Sequence, residues 1–249
     1  MSELTTRTSW KLLGAAGLVC LTGGCESAKP TVQTTNAFVE SRTFAVAPIL
    51  NFSGEFDLDP VKAADLLASE LSHVEGINVL PVNRVVALLA TENKAQIESP
   101  AHALAVAEAV GADAIIVAGI IEYDAYTPIV GLAVQVYTRG SQPSRPALDA
   151  VTASRQARPM TLAEMADALN PAGQVQAVYN GSHKHIVDAV QRYGRSRSEG
   201  DNPLGWRQYL KVQPLYLRFC WHDAISRLME QESMRQAILA DCYNPEVSQ

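Results

Sequence analysis

Four groups of side chains in this chain have the types and spacing to do chemistry. His183-Lys184-His185 sets two imidazoles two positions apart. On a strand they would share a face and could bind a metal ion. On a helix they point roughly 200° apart, which defeats two-point ligation. A zinc site needs three or four ligands, and no carboxylate or cysteine pattern completes one here. The expectation is a pair of exposed histidines at a helix start. Glu55, Asp57 and Asp59 alternate along one loop and could grip calcium. The glycine and later glutamate of an EF-hand loop are missing, so a solvated acidic loop is expected. Arg192, Arg195 and Arg197 fall at a helix end, where the macrodipole favours positive charge, and could also touch phospholipid headgroups or an acidic partner. Tyr123, Tyr126 and Pro128 make a stiff aromatic connection after an apolar run. Strand ends of α/β sheets are common binding places, although tyrosines there more often close over the core.

The chain has no GxSxG, no Walker A loop, no GxGxxG and no HExxH. Each of those motifs places reactive atoms through backbone geometry that is hard to disguise. The reading is a non-enzymatic protein without cofactor or metal. A hydrolase would need His183, His185 or His222 to meet a carboxylate in a deep cleft. The formal charge is −6, and removing residues 1–24 takes away Glu3, Arg7 and Lys11, leaving −7. Affinity for nucleic acid depends on neutralising phosphates, so a nucleic-acid partner is not expected.

The four cysteines are Cys20, Cys25, Cys220 and Cys242. No CxxC occurs, which suits neither zinc nor a thioredoxin-like motif. Arg7 and Lys11 form a charged leader, and residues 12–21 form an apolar run of about ten residues. A membrane-spanning helix needs about 20, so the pattern is that of a cleaved export signal. Leu21-Thr22-Gly23-Gly24 then sets small residues directly before Cys25. This stretch resembles the lipobox of bacterial lipoproteins, in which the cysteine thiol receives diacylglycerol before cleavage. Thr22 stands where that pattern has an aliphatic residue, with Leu21 one place further out. Ordinary signal cleavage after Gly24 is the other reading. Lipidation of Cys25 would tie the chain to the membrane through its N-terminal lipid, and Glu26 favours the outer membrane in the lipoprotein sorting rule. Cys20 leaves with the signal. Export makes a Cys220–Cys242 disulfide possible, and two separate cysteines, Cys220 buried on a helix, fit equally well.

The elements that position these residues can be placed in order along the chain. Residues 1–24 are the signal and 25–42 a polar, flexible tether. Residues 43–158 form an α/β domain, a mixed β-sheet flanked by helices, and 159–249 a mainly helical C-terminal region packed on it. Thr43 to Ile49 suit a strand. Asp59-Pro60 opens a helix as cap plus proline, and Ser99-Pro100 repeats the signal. Gly76 and Gly111 suit helix exits, Ile77 to Leu80 a short strand, and Asn83 a further cap. Residues 114–121 are apolar throughout and want burial on both faces. Val130, Leu132, Val134 and Val136 alternate as a half-buried strand. Residues 139–160 turn polar, with an edge strand expected around Leu148 to Ser154. Helices are expected at Ser182 to Arg195 and from Pro203 onward, bent at Pro214, with Trp206, Phe219 and Trp221 as core anchors.

The phrases Phe44-Ala45-Val46-Ala47-Pro48, Ala64-Asp65-Leu66-Leu67 and Gly111-Ala112-Asp113-Ala114-Ile115-Ile116-Val117-Ala118-Gly119 resemble an envelope superfamily. Its members share the periplasmic domain of the curli secretion channel lipoprotein, the lipoprotein activator of penicillin-binding proteins and the N-terminal domain of TolB. The resemblance covers residues 43–138. It implies a lipid-anchored, non-enzymatic scaffold, binding or assembly module with an envelope protein partner, at the outer membrane facing the periplasm. The alternative it carries is a subunit of an oligomeric outer-membrane secretion pore, for which the segment Tyr126–Arg158 would have to supply long membrane-facing strands.

Overall fold

The computed structural model describes residues 41–124, 126–139, 170–197 and 203–243, with Thr34 and Ala37; side chains are described as far as Ala240. Local chain signals place most of the early elements. Strands β1 (Arg42–Val46) and β2 (Leu50–Asn51) precede helix α1 (Pro60–Leu71). The Asp59 carboxylate accepts from the amides of Val61 and Lys62 at 3.0 and 3.2 Å, satisfying donors the first turn leaves orphaned. Strand β3 (Ile77–Val79) leads to α2 (Val82–Thr91) and α3 (Pro100–Val110). Ser99 caps α3 by accepting from the amide of His102, and Gly111 closes it at φ 78°, a left-handed conformation that costs a residue with a Cβ. Asn83 is not a cap. Helix α2 begins at Val82, ahead of it, with Pro81 in the capping position and no side chain bonded there.

Strands β4 (Ala114–Asp124), β5 (Ile129–Thr138) and β6 (Gly173–Asn180) complete a mixed sheet in the order β3-β1-β4-β5-β6, with β2 also paired to β4. β1 runs parallel to β3 and β4, while β5 is antiparallel to both β4 and β6. Asp113 ties the start of β4 to β1, its carboxylate accepting from the Thr43 amide at 2.8 Å. β6 lies within the mainly helical C-terminal region and supplies an edge of the sheet. The expected strand at Leu148 to Ser154 lies outside the described residues.

The sheet divides the apolar side chains into two clusters. On the inner face, Phe44, Val46, Ile116, Ala118, Ile120, Leu132 and Val134 pack with α1 and the C-terminal helices. On the outer face, Ala45, Ala47, Ile115, Val117 and Tyr137 pack with α2 and α3. The C-terminal helices are α4 (Lys184–Arg197), α5 (Gln208–Lys211, after a 3-10 turn at Gly205–Arg207) and α6 (Gln213–Tyr243). The break before α6 falls at Val212, which is extended, two residues ahead of the bend expected at Pro214. Pro214 lies in the first turn of α6, where its missing N–H would have had no partner. Leu217, Trp221, Ile225 and Leu228 form the buried face of α6, and Phe219 is buried with them; Trp206 is only partly covered.

One ion cluster fastens these helices down. The Glu70 side chain of α1 is fully buried and accepts from Arg218 of α6 at 2.8 Å and from Arg197 of α4 at 3.1 Å. Within the expected tether, the Thr34 and Ser226 hydroxyl oxygens lie 2.9 Å apart and Ala37 packs on the inner cluster. No helix among the described residues is long and apolar enough to cross a membrane.

Candidate functional site

The carboxyl end of β4 carries two features that the fold does not require. The first is an apolar strip on the outer face. Register places Glu122 beside Gly131 and Gly131 beside Val178, so one row crosses β4, β5 and β6, and the Phe52 amide donates to the Ile120 carbonyl at 2.8 Å next to it. An irregularity between Ile120 and Glu122 inserts Ile121 as an extra residue, and such a bulge re-aims a side chain. Ile121 is 44% exposed, Val178 61% and Phe52 65%. Gly119 lets the Phe52 ring lie down on the strand, since a Cβ there would sit 3.0 Å from it. The loop holding Phe52 is tied by Asn51, which donates to the Glu55 carbonyl at 2.7 Å and accepts from the Ser53 amide at 3.1 Å. Phe56 follows on the same loop, fully exposed.

The second feature is a cavity of about 220 Å³ under the β4–β5 turn, between that turn and the start of α6. The Asp124 carboxylate accepts from the amides of Tyr126 and Thr127 at 2.8 and 3.1 Å, and these bonds hold it below the usual carboxylate range. Tyr123 donates to Gln213 Oε1 at 2.6 Å. That bond leaves the other end of the Gln213 amide, Nε2, buried without a partner, and the Tyr216 hydroxyl is in the same position. Burial raises the Tyr123 and Tyr216 hydroxyls above the ordinary phenol value, with the nearby Cys220 adding to it.

The structure distributes the other residues singled out in the sequence. His183 and His185 are exposed at the start of α4 with ring centroids 5.7 Å apart. No group of three or more metal-capable side chains occurs among the described residues. Asp59 is occupied as a helix cap, while Glu55 and Asp57 are exposed. Arg192 and Arg195 are exposed, whereas Arg197 is committed to Glu70. His222 is buried against Tyr193, ring centroids 4.9 Å apart, and burial lowers its pKa. Cys220 is a free, fully buried thiol, pushed well up by burial. Cys242 lies on the same continuous helix about six turns on, roughly 33 Å away at the usual rise. Cys25 lies outside the described residues. Tyr123, Tyr126 and Pro128 do come together at the cavity; Phe52, Val178, Gln213 and Tyr216 carried no signal in the sequence that set them apart, and Ile121, expected to be buried with the rest of residues 114–121, is exposed.

No protein-family model matches the chain, and no curated protein matches it. Solved structures do. The C-terminal domain of LpoB from Escherichia coli is 9% identical, over 57% of this chain and 84% of that one, with a TM-score of 0.37. Lipoprotein GNA1162 from Neisseria meningitidis is 16% identical, over 60% and 93%, with a TM-score of 0.38. The hypothetical protein CT253 from Chlamydia trachomatis is 11% identical, over 78% and 94%, with a TM-score of 0.34. All three superpositions are loose, and none carries a functional residue over to this chain.

Proposed function

We propose that this chain is a non-enzymatic scaffold or binding module of a bacterial cell envelope, held through diacylglycerol on Cys25 at the outer membrane and facing the periplasm. The observation that carries the reading is the strip of Phe52, Ile121 and Val178. Apolar side chains left in water gain nothing for folding, and three of them at the same end of the sheet are the residues a partner would cover. The leader, the small residues before Cys25 and the polar stretch after it supply the address. Membership in the superfamily that the β1, α1 and β4 phrases resemble belongs to the same reading.

A photo-crosslinking residue at position 178 in the membrane-extracted full chain tests it. The expected result is a discrete adduct with one envelope protein, lost when Cys25→Ala releases the chain from the membrane. Intact mass of the same sample should show the lipid. An unlipidated protein with no discrete adduct would overturn the proposal.

A further inference from the structure

The geometry points to a saccharide subsite in the cavity under the β4–β5 turn, sized for one uncharged pyranose unit of a glycan. Its volume, about 220 Å³, is below the roughly 300 Å³ at which drug-sized sites begin, so it suits a single ring rather than an extended ligand. Buried polar groups are nearly always hydrogen-bonded, and each exception calls for an explanation. Here two occur three positions apart on one helix face: Gln213 Nε2 and the hydroxyl of Tyr216, a residue only 2% exposed.

Their chemistry selects the partner. An amide nitrogen offers donors only, while a phenol hydroxyl both donates and accepts. Neighbouring hydroxyls on a sugar, each donor and acceptor at once, satisfy both once the ligand displaces the side chains that now cover these two buried atoms. The amide is already oriented for this, because Tyr123 holds its oxygen at 2.6 Å. Charge argues for a neutral ligand, since Asp124 and Lys211 both line the cavity and an ion of either sign would meet one like charge. Tyr126 and Pro128 line it too, and Tyr126 is 98% exposed. The exposed tyrosine ring offers a flat apolar surface to the C–H face of a pyranose, with a polar tip still in water. This subsite does not depend on the scaffold reading, which uses the opposite face of the sheet.

The test is a titration of the isotope-labelled full chain in detergent with glucose, N-acetylglucosamine and chitotriose, followed by NMR. Millimolar binding is expected, with shifts centred on Tyr126, Gln213 and Tyr216. Tyr126→Ala should weaken it about tenfold and Tyr216→Phe about fivefold, the loss of one hydrogen bond. Neither variant should lower the unfolding midpoint, because one ring is exposed and the other loses only an unpartnered hydroxyl. The proposal is overturned if none of the three sugars shifts these residues, if the shifts map elsewhere, or if N-acetylglutamine amide shifts them where the sugars do not. That last outcome would make the cavity a peptide side-chain pocket. Loss of crosslinking through position 178 would leave this result untouched, so the two proposals fail separately.

Discussion

The two faces of one sheet are built to different ends. Along the inner face, helices α1, α4 and α6 cover the apolar row from Phe44 to Tyr179, and the Glu70 cluster pins all three together. On the outer face, α2 and α3 cover β1 and the first half of β4, together with Tyr137 of β5. The adjoining outward positions of β5 and β6 are Gly131, Ala133, Gln174 and Gln176, all small or polar. Phe52, Ile121 and Val178 break that pattern. The difference separates stability from contact: large buried groups hold one face, and exposed apolar groups on the other can change with little effect on folding.

The comparison predicts its largest effect at the inner face. Trp221 is fully buried among residues of α6 and the sheet, so Trp221→Ala should destabilise the chain by about 4 kcal/mol, through lost burial plus the cavity left behind. Urea denaturation measures it. A loss under about 1 kcal/mol would mean the C-terminal helices are not part of the cooperative core.

Next comes the ion cluster. Glu70→Gln keeps the shape of the side chain but leaves Arg197 and Arg218 facing each other without a counter-charge. The cost of stranding one side of a buried pair is about 3 kcal/mol or more, discounted here to about 2 because both arginines are partly exposed. Adding Arg218→Met to Glu70→Gln should recover part of that loss, which a purely steric effect of glutamine would not allow.

These two predictions differ in how much a sequence reader could have foreseen. Trp221 lies on an apolar helical stripe with Leu217, Ile225 and Leu228, a local pattern. So do the caps at Asp59 and Ser99 and the alternation of β5, all set by neighbours within a few residues. Glu70 gave no such sign, because its partners lie 127 and 148 residues away. Strand β6 was hidden for a related reason. Its inward residues are Gly173, Val175, Ala177 and Tyr179, only two of them large, and what buries them is the distant α6. The break at Val212 replaced the bend expected at Pro214 because proline in a first turn disturbs nothing. The strip could not be read either. A one-residue bulge at Ile121 and the row joining β4, β5 and β6 exist only once register is known.

A smaller inner-face effect is set by pH. His222 is held below its ordinary pKa of 6.5, first by burial; Arg197 and His73 push the same way, while Glu70 and Asp223 oppose. A histidine with a lower pKa folded than unfolded binds its proton first in the unfolded chain. Its contribution is therefore complete above pH 6.5 and is lost as pH falls below that value. His222→Phe keeps a ring against Tyr193 and should flatten the fall in urea midpoint between neutral pH and pH 5. An unchanged slope would assign that fall to the carboxylates.

The smallest stability effect, and the sharpest test of the comparison, is Val178→Lys. Val178 faces outward from β6, 61% exposed, and its register partner is Gly131, so a long charged side chain meets no neighbour on that strand. Surface changes of this kind usually alter stability by no more than about 0.5 kcal/mol. The same charge set in the middle of an apolar contact would be desolvated by any partner seated there, an unpaired burial that costs far more. With the crosslinking residue moved to position 121, Val178→Lys should leave the urea midpoint where it was and remove the adduct. If the midpoint falls by about 2 kcal/mol or more, the outer row is part of the core and the division between the faces is wrong. If neither reading moves, the faces do differ in stability, but the contact surface lies elsewhere than across β4, β5 and β6.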